Sequence, residues 1–327
     1  MECSEGDDRG EQAGGLASPG EEATELDGVD HGRLAAGARR EVAARRPGQL
    51  ERERFAVAAG PLGDDVGDDA PVVVTDLTSA ETIKVASNVF LAAKITFANE
   101  ISRLTAATGA DAQDVVDGMG LDKRIVRNFL SPGPGFGGSC FPSQARALPR
   151  LAAGFGVQTP LMDAIWPSNV SQADWLLDGL ERAAGRSLEG LRVALLGLTF
   201  NAGTDDLRES PAIRLGQALA ARGATVVAYD PVSLERGTAM LQQLAPGAPI
   251  EGAPSAVAAC DGAAAVVVAT EWSEFGQLPW MQIAPTMTGE VVIDGRRVVD
   301  VDAAGAAGLR VVALGVEVSG AALELVD

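Results

Sequence analysis

A chain of 327 residues has room for two domains with cores of their own, and its hydrophobic and charged fractions, 46% and 22%, are ordinary for a globular protein. The formal charge of −19 excludes a nucleic-acid role, because holding phosphates depends on Lys and Arg displacing their counterions. No apolar run approaches the ~20 residues needed to cross a bilayer, and the N-terminus lacks a basic start followed by an apolar stretch, so no membrane span and a cytoplasmic location are expected.

Residues 1–70 mix Gly, Ala, Glu, Asp and Arg with no sustained apolar period, and are expected to be disordered. They include His31, the only histidine, which has no partner cluster and is given no role. The character changes at Ala70. Pro71 to Val74 is a short extended run, and Thr78-x-x-Glu81 reads as a capping box opening a helix. Ile83, Phe90, Ile95, Phe97, Ile101 and Leu104 recur at helical spacing until Gly109, which predicts one long amphipathic helix. Asp111 to Asp114 can cap a second helix ending near Gly118. Residues 121–140 read as loop. Helices are predicted at 144–153 and 161–182, the latter kinked or broken by Pro167.

After Gly190 strands and helices alternate. Strands are predicted at 191–196, 225–229, 264–270, 290–293 and 310–313. Ser210-Pro211 is a good N-cap and first-turn pair for a helix stopping at Gly223, and further helices fall near 235–244 and 254–260. Such alternation specifies a parallel sheet covered by helices. The expected fold is α/β: a helical central domain at 71–185, then a Rossmann-like, doubly wound parallel-sheet domain at 186–327.

Three cysteines, Cys3, Cys140 and Cys260, are odd in number and widely spaced, giving neither a disulfide framework nor a metal pattern. No metal is expected. Cys260 lies in an Ala-rich helical stretch and reads as structural. Cys140 lies in the run Pro132-Gly133-Pro134-Gly135-Phe136-Gly137-Gly138-Ser139-Cys140-Phe141-Pro142. Four glycines allow positive φ and a close approach of backbone N–H groups to a ligand. The cysteine precedes a predicted helix, whose N-terminus favours a thiolate, so the placement suits a nucleophile. A small buried cysteine in a tight turn is the structural alternative.

This run closely resembles the active-site signature of the UDP-glucose/GDP-mannose dehydrogenase family, and with Phe136 and Phe141 it looks most like the UDP-glucose branch. Further matches are Glu81-x-x-Lys84-x-x-x-Asn88, Asp122-x-Arg124-Ile125 before Phe129-Leu130, Gly197-Leu198-Thr199-Phe200 through Asp205-Asp206-Leu207-Arg208-Glu209-Ser210, Thr270-Glu271-Trp272 and Asp294-Gly295-Arg296. The resemblance implies oxidation of a nucleotide sugar's C6 alcohol by NAD, twice, through an aldehyde captured by the cysteine and a thioester that water hydrolyses. The product is a uronic acid nucleotide, a precursor for polysaccharide biosynthesis.

Residue by residue, the resemblance makes Cys140 the nucleophile, with Lys84 and Asn88 one helical turn apart beside it. It makes the backbone of Phe129, Leu130, Ser131, Pro132 and Gly133, with Gly137, the clamp on the UDP-sugar. Arg124 resembles an arginine given across a homodimer interface, built on the 79–108 helix, to the neighbouring site. Arg296 resembles a substrate contact and Arg208 a residue reaching the NAD. The plainer reading of Arg208 is a helix-flanking arginine paired with Asp205 or Glu209, and that of Lys84 an exposed pair with Glu81.

Three positions depart from the family's pattern. Ser143 and Gln144 stand where a lysine and an aspartate usually follow the Cys-Phe-Pro, and Asn201 where a lysine faces the diphosphate. The family's N-terminal NAD-binding Rossmann domain is not recognisable in residues 1–70. The spacing G-x-G-x-x-G occurs at Gly133, Gly135 and Gly138 without a preceding strand, so it is a chance match. An impaired, truncated enzyme is therefore expected, with a shifted reading frame upstream as one origin. The alternative is a non-catalytic module that binds UDP-sugars or dimerises.

Overall fold

The computed structural model describes residues 54–58 and 72–315. The expectation of disorder for residues 1–70 lies outside the described residues, apart from 54–58, which form a strand. The chain divides between Ala80 and Glu81 into two compact units. In the first, β1 (Arg54–Ala58) pairs antiparallel with β2 (Val72–Asp76), in the register Phe55 opposite Thr75.

Helix α1 (Leu77–Thr108) starts before the predicted capping box. Its first turn is held by Asp76, whose carboxylate accepts from the Ser79 N–H at 3.0 Å and the Ser79 hydroxyl at 2.8 Å. A carboxylate is the stronger acceptor for N-terminal N–H groups, so Thr78 falls inside the helix. The second unit contains the rest of α1 and α2 (Ala112–Gly120), capped by Asp111, which accepts from Gln113 N at 2.6 Å. There follow α3 (Cys140–Gly154) and α4 (Pro160–Ala184). Helix α4 runs through Pro167 without a break, and α3 begins four residues earlier than expected. Pro142 lies in its first turn, where a missing N–H costs nothing.

The sheet is six-stranded and parallel, in the order β5 (Ile250–Gly252), β4 (Thr225–Tyr229), β3 (Arg192–Leu196), β6 (Ala265–Val268), β7 (Val291–Asp294), β8 (Arg310–Ala313). Its inner strands β3, β4, β6 and β7 carry continuous buried apolar runs because helices cover both faces. On one side α4 and α5 (Pro211–Ala221) bury Leu177, Leu180, Leu215 and Leu219 with α6 (Leu234–Leu244). On the other, α7 (Ala256–Cys260), α8 (Trp280–Ile283) and α9 (Val301–Ala306) bury Ala259, Trp280, Ile283 and Ala304. Burying each of these Leu and Ile side chains contributes about 1.5–3 kcal/mol. The strand order reverses between β3 and β6, so the crevice at their C-terminal ends is where such a sheet takes a ligand.

Candidate active site

The loop after β3 begins at Gly197, whose φ is +93° and where an added Cβ would lie 2.5 Å from the Thr270 side chain. Only glycine fits so close to Thr270, two residues past β6, and the Thr270 hydroxyl donates to Thr199 O at 2.7 Å. The two strand ends are thus stitched together at the crevice.

The glycine-rich loop packs onto this crevice. Gly138 N donates to Arg208 O at 2.9 Å. The Phe200 ring lies 3.4 Å from where a Cβ on Gly138 would stand, and a Cβ on Gly137 would meet Glu209 O at 2.7 Å. From β7, Arg296 turns back: its Nε donates to Ala269 O at 3.1 Å, its Nη2 to Phe200 O at 3.0 Å, and its Nη1 faces Gly133. Burial pushes its pKa down, while the ion pair with Glu271 at 3.1 Å works the other way.

Cys140 is the first residue of α3, and its thiol is exposed, 3.6 Å from the Ser139 hydroxyl. The Ser139 side chain makes no capping hydrogen bond. Helix α1 packs Val85, Val89 and Ala92 against Phe136 and Phe141, the latter next to the thiol. Asn88, 2% exposed, lies at the edge of that face, with its Oδ1 lacking a partner. Lys84 is one turn earlier, half-buried and without an ion pair among the described residues, so the pairing with Glu81 does not form.

Of the clamp positions, Phe129 sets its ring 6.1 Å from that of Phe141, and its φ of +66° marks a strained turn. Leu130 is buried against Ala98 and Val116, so only its backbone can face a ligand. Ser131 is exposed and accepts from Arg127 Nη1 at 3.2 Å, while Pro132 and Gly133 are buried. Arg124, 88% exposed, pairs with its own Asp122 at 2.6 Å. Arg208 pairs with Asp206 at 2.7 Å, whereas Asp205 takes Arg236 and Glu209 takes Arg146 and Arg214, so the pairing read from sequence is corrected. The hydrogen bond to Asp206 raises the pKa of the Arg208 guanidinium.

The Ser143 hydroxyl turns back to Ser139 O and Cys140 O, at 2.8 and 3.1 Å, and Gln144 Oε1 is buried without a partner. Asn201 is exposed. Sequence reasoning missed a cluster joining the helices to the sheet: Arg146 and Arg214 lie 4.4 and 5.1 Å from the Trp166 ring while sharing Glu209. Cys260 is buried, its pKa pushed up to about 12, as suits a structural thiol.

A dinucleotide does not fit the sheet. Its first turn has a single glycine, and α5 starts only at Pro211, with its N-terminus occupied by the Ser210 side chain accepting from Ala212 N at 3.2 Å. The acidic residue ending β4, Asp230, is already saturated by the N–H groups of Leu198, Thr199, Val232 and Ser233. A ribose diol finds no free carboxylate there.

The chain belongs to the UDP-glucose/GDP-mannose dehydrogenase family: residues 78–171 match its central domain and residues 194–301 its UDP-binding domain. Among relatives, it is 38% identical to the UDP-glucose 6-dehydrogenase of Rickettsia bellii over 255 residues, covering 78% of this chain and 57% of that one. It is 42% identical to the UDP-glucose 6-dehydrogenase AglM of Haloferax volcanii, covering 76% and 55%. The solved UDP-glucose dehydrogenase of Pyrobaculum islandicum superposes with a TM-score of 0.65 at 36% identity, over 72% of this chain and 51% of that one. The chain spans about half the length of the curated relatives it matches.

Proposed function

We propose that this chain holds a UDP-sugar, UDP-glucose foremost, in the crevice at the ends of β3 and β6 and presents its C6 to Cys140, within a nucleotide-sugar dehydrogenase that forms the uronate in the cytoplasm. The observation that carries this is the closure of the thiol-bearing loop over the switch point, through Gly138 on Arg208 and Arg296 beside Gly133. Residues 71–185 then form the catalytic and dimerisation part, and 186–327 the UDP-sugar part.

By resemblance the oxidant is NAD, which would accept the hydride from C6, with Arg208 as a contact; its binding fold is not among the described residues. The chain's own residues do the rest. The backbone of 129–133 and Gly137 holds the nucleotide sugar, with Arg296 supplying charge. The Cys140 thiol adds to a C6 aldehyde: the S–C bond forms as the C=O π bond opens, and the proton released from sulfur ends on the former carbonyl oxygen. The Lys84 ammonium stabilises that oxygen as charge develops, and the unpartnered Asn88 Oδ1 accepts from a hydroxyl or water.

The outer face of α1 carries Ile83, Phe90, Phe97 and Leu104, seven residues apart and 37%, 65%, 46% and 58% exposed. A heptad stripe on a long helix is self-complementary about a twofold axis, which supports a homodimer in which Arg124 reaches the partner's site.

The test is NADH formation from NAD and UDP-glucose, followed by absorbance, beside a thermal-shift titration with UDP-glucose alone. Turnover supports the enzyme. Stabilisation without turnover supports a UDP-sugar-binding module, the reading favoured by Ser143, Gln144 and Asn201, since a ligand preferring the folded state raises its stability. Neither signal contradicts both.

A further inference from the structure

The loop from Pro132 to Cys140 has no strand or helix to satisfy its first peptides. Carboxamide side chains do this instead. Gly133 N donates to Asn99 Oδ1 at 2.8 Å, and Gly133 O accepts from Gln172 Nε2 at 3.0 Å. Phe136 N donates to Asn169 Oδ1 at 2.7 Å, and Phe136 O accepts from the same residue's Nδ2 at 3.1 Å. All three side chains are essentially buried, at 1%, 0% and 1% exposure for Asn99, Gln172 and Asn169. They reach the loop from α1 on one side and α4 on the other.

A carboxamide sets an acceptor oxygen beside a donor NH2 group, so it can copy a strand's edge; an ionised carboxylate, which only accepts, cannot. The direction of Gln172 is set from behind. Arg103 Nε, which can only donate, binds Gln172 Oε1 at 2.9 Å, leaving Nε2 to face Gly133. Arg103 is anchored in turn on Ser168 O at 3.2 Å and the Ser171 hydroxyl at 3.1 Å. The fit is close: at Gly135, with φ of +119°, an added Cβ would stand 2.8 Å from Asn169 Oδ1.

We propose that Asn99, Asn169 and Gln172 are positioning residues that fix the ligand-facing shape of the thiol loop, and that Arg103 sets the polarity of this arrangement from outside it. This rests on reading residues 129–133 as the sugar-nucleotide clamp. The deciding variant is Gln172→Glu. It keeps, and charges, the contact with Arg103 but turns an oxygen towards Gly133 O.

Two readouts are taken: hydrogen–deuterium exchange of the peptide covering 132–140 without ligand, and the protection that UDP-glucose gives Cys140 against iodoacetamide. For Gln172→Glu we expect exchange in that peptide to rise about 10-fold with the sheet peptides unchanged. Protection should fall from about 10-fold to below about 2-fold, with Tm within about 4 °C of the parent. Exchange and protection like the parent's overturn the proposal. Ser171→Ala removes another Arg103 contact without touching the loop and must leave both readouts alone; equal losses there mean general stability, which also overturns it. If Gln172→Glu does not fold, Arg103→Gln decides: smaller losses in the same two readouts support the proposal, and none overturns it. If the parent itself gains no protection from UDP-glucose, the UDP-sugar reading fails, and the exchange data still judge the positioning.

Discussion

Arg296 donates to the carbonyl of Phe200 at 3.0 Å, tying the turn after β7 to the loop after β3 while its Nη1 points at Gly133. One planar guanidinium thus serves both walls of the crevice and keeps a third nitrogen on the Gly133 side. A lysine has no such fork. Arg296→Lys is expected to weaken UDP-glucose binding by at least about tenfold, as one charge-assisted hydrogen bond is worth about 1.5–3 kcal/mol. Calorimetric titration measures this, and an unchanged affinity removes Arg296 from the site.

Gly137 has no room for a methyl group: its Cβ would sit 2.7 Å from Glu209 O and 2.8 Å from Pro211 Cδ. Glu209 cannot yield freely, because it holds a positive φ of +49° and is gripped by Arg146. Gly137→Ala should cost about 1–3 kcal/mol in urea unfolding, as overpacking does. Gly154, with nothing within 4 Å, is the control, and Gly154→Ala should be neutral or slightly stabilising.

Asp230 gives a pH signature. Burial would raise its pKa, but the N–H groups of Leu198, Ser233, Val232 and Thr199 together bring it below the ordinary value. A depressed folded pKa adds stability that is fully present above the unfolded value of about 3.9 and lost as pH falls through the folded value. Asp230→Asn should therefore be less stable than the parent at pH 5 and above, with the gap closing below about pH 4. Thermal melts across that range check it; a gap that widens in acid contradicts the assignment.

The sheet and most helix limits are legible because they rest on local signals: apolar runs, Ser210-Pro211, and the turn glycines at 197 and 223. The thiol loop is legible for the same reason, as glycine and proline announce it. Asn99, Asn169 and Gln172 are not, because a buried amide looks like a surface residue until its partner on another segment is known. The spacings Asn99–Arg103 and Asn169–Gln172, each on one helix face, were the available hint. The three-residue strand β5 is too short for any periodicity. The Glu209 cluster joins residues 146, 166, 209 and 214, and no local pattern connects those.

The stripe on α1 predicts assembly. Sedimentation should show a dimer for the parent and a monomer for the Phe90→Glu, Phe97→Glu double variant, since two buried charges without partners cannot be accommodated in an apolar seam. A parent that stays monomeric at all concentrations contradicts the dimer and the crossing role of Arg124.

The most direct measurement is a crystal structure of the chain with UDP-glucose. The diphosphate and uracil should lie against residues 197–200 and Arg296, with the glucose C6 oxygen within about 4 Å of the Cys140 sulfur and facing Lys84 and Asn88. A nucleotide bound elsewhere, or a sugar turned away from that sulfur, would contradict the account.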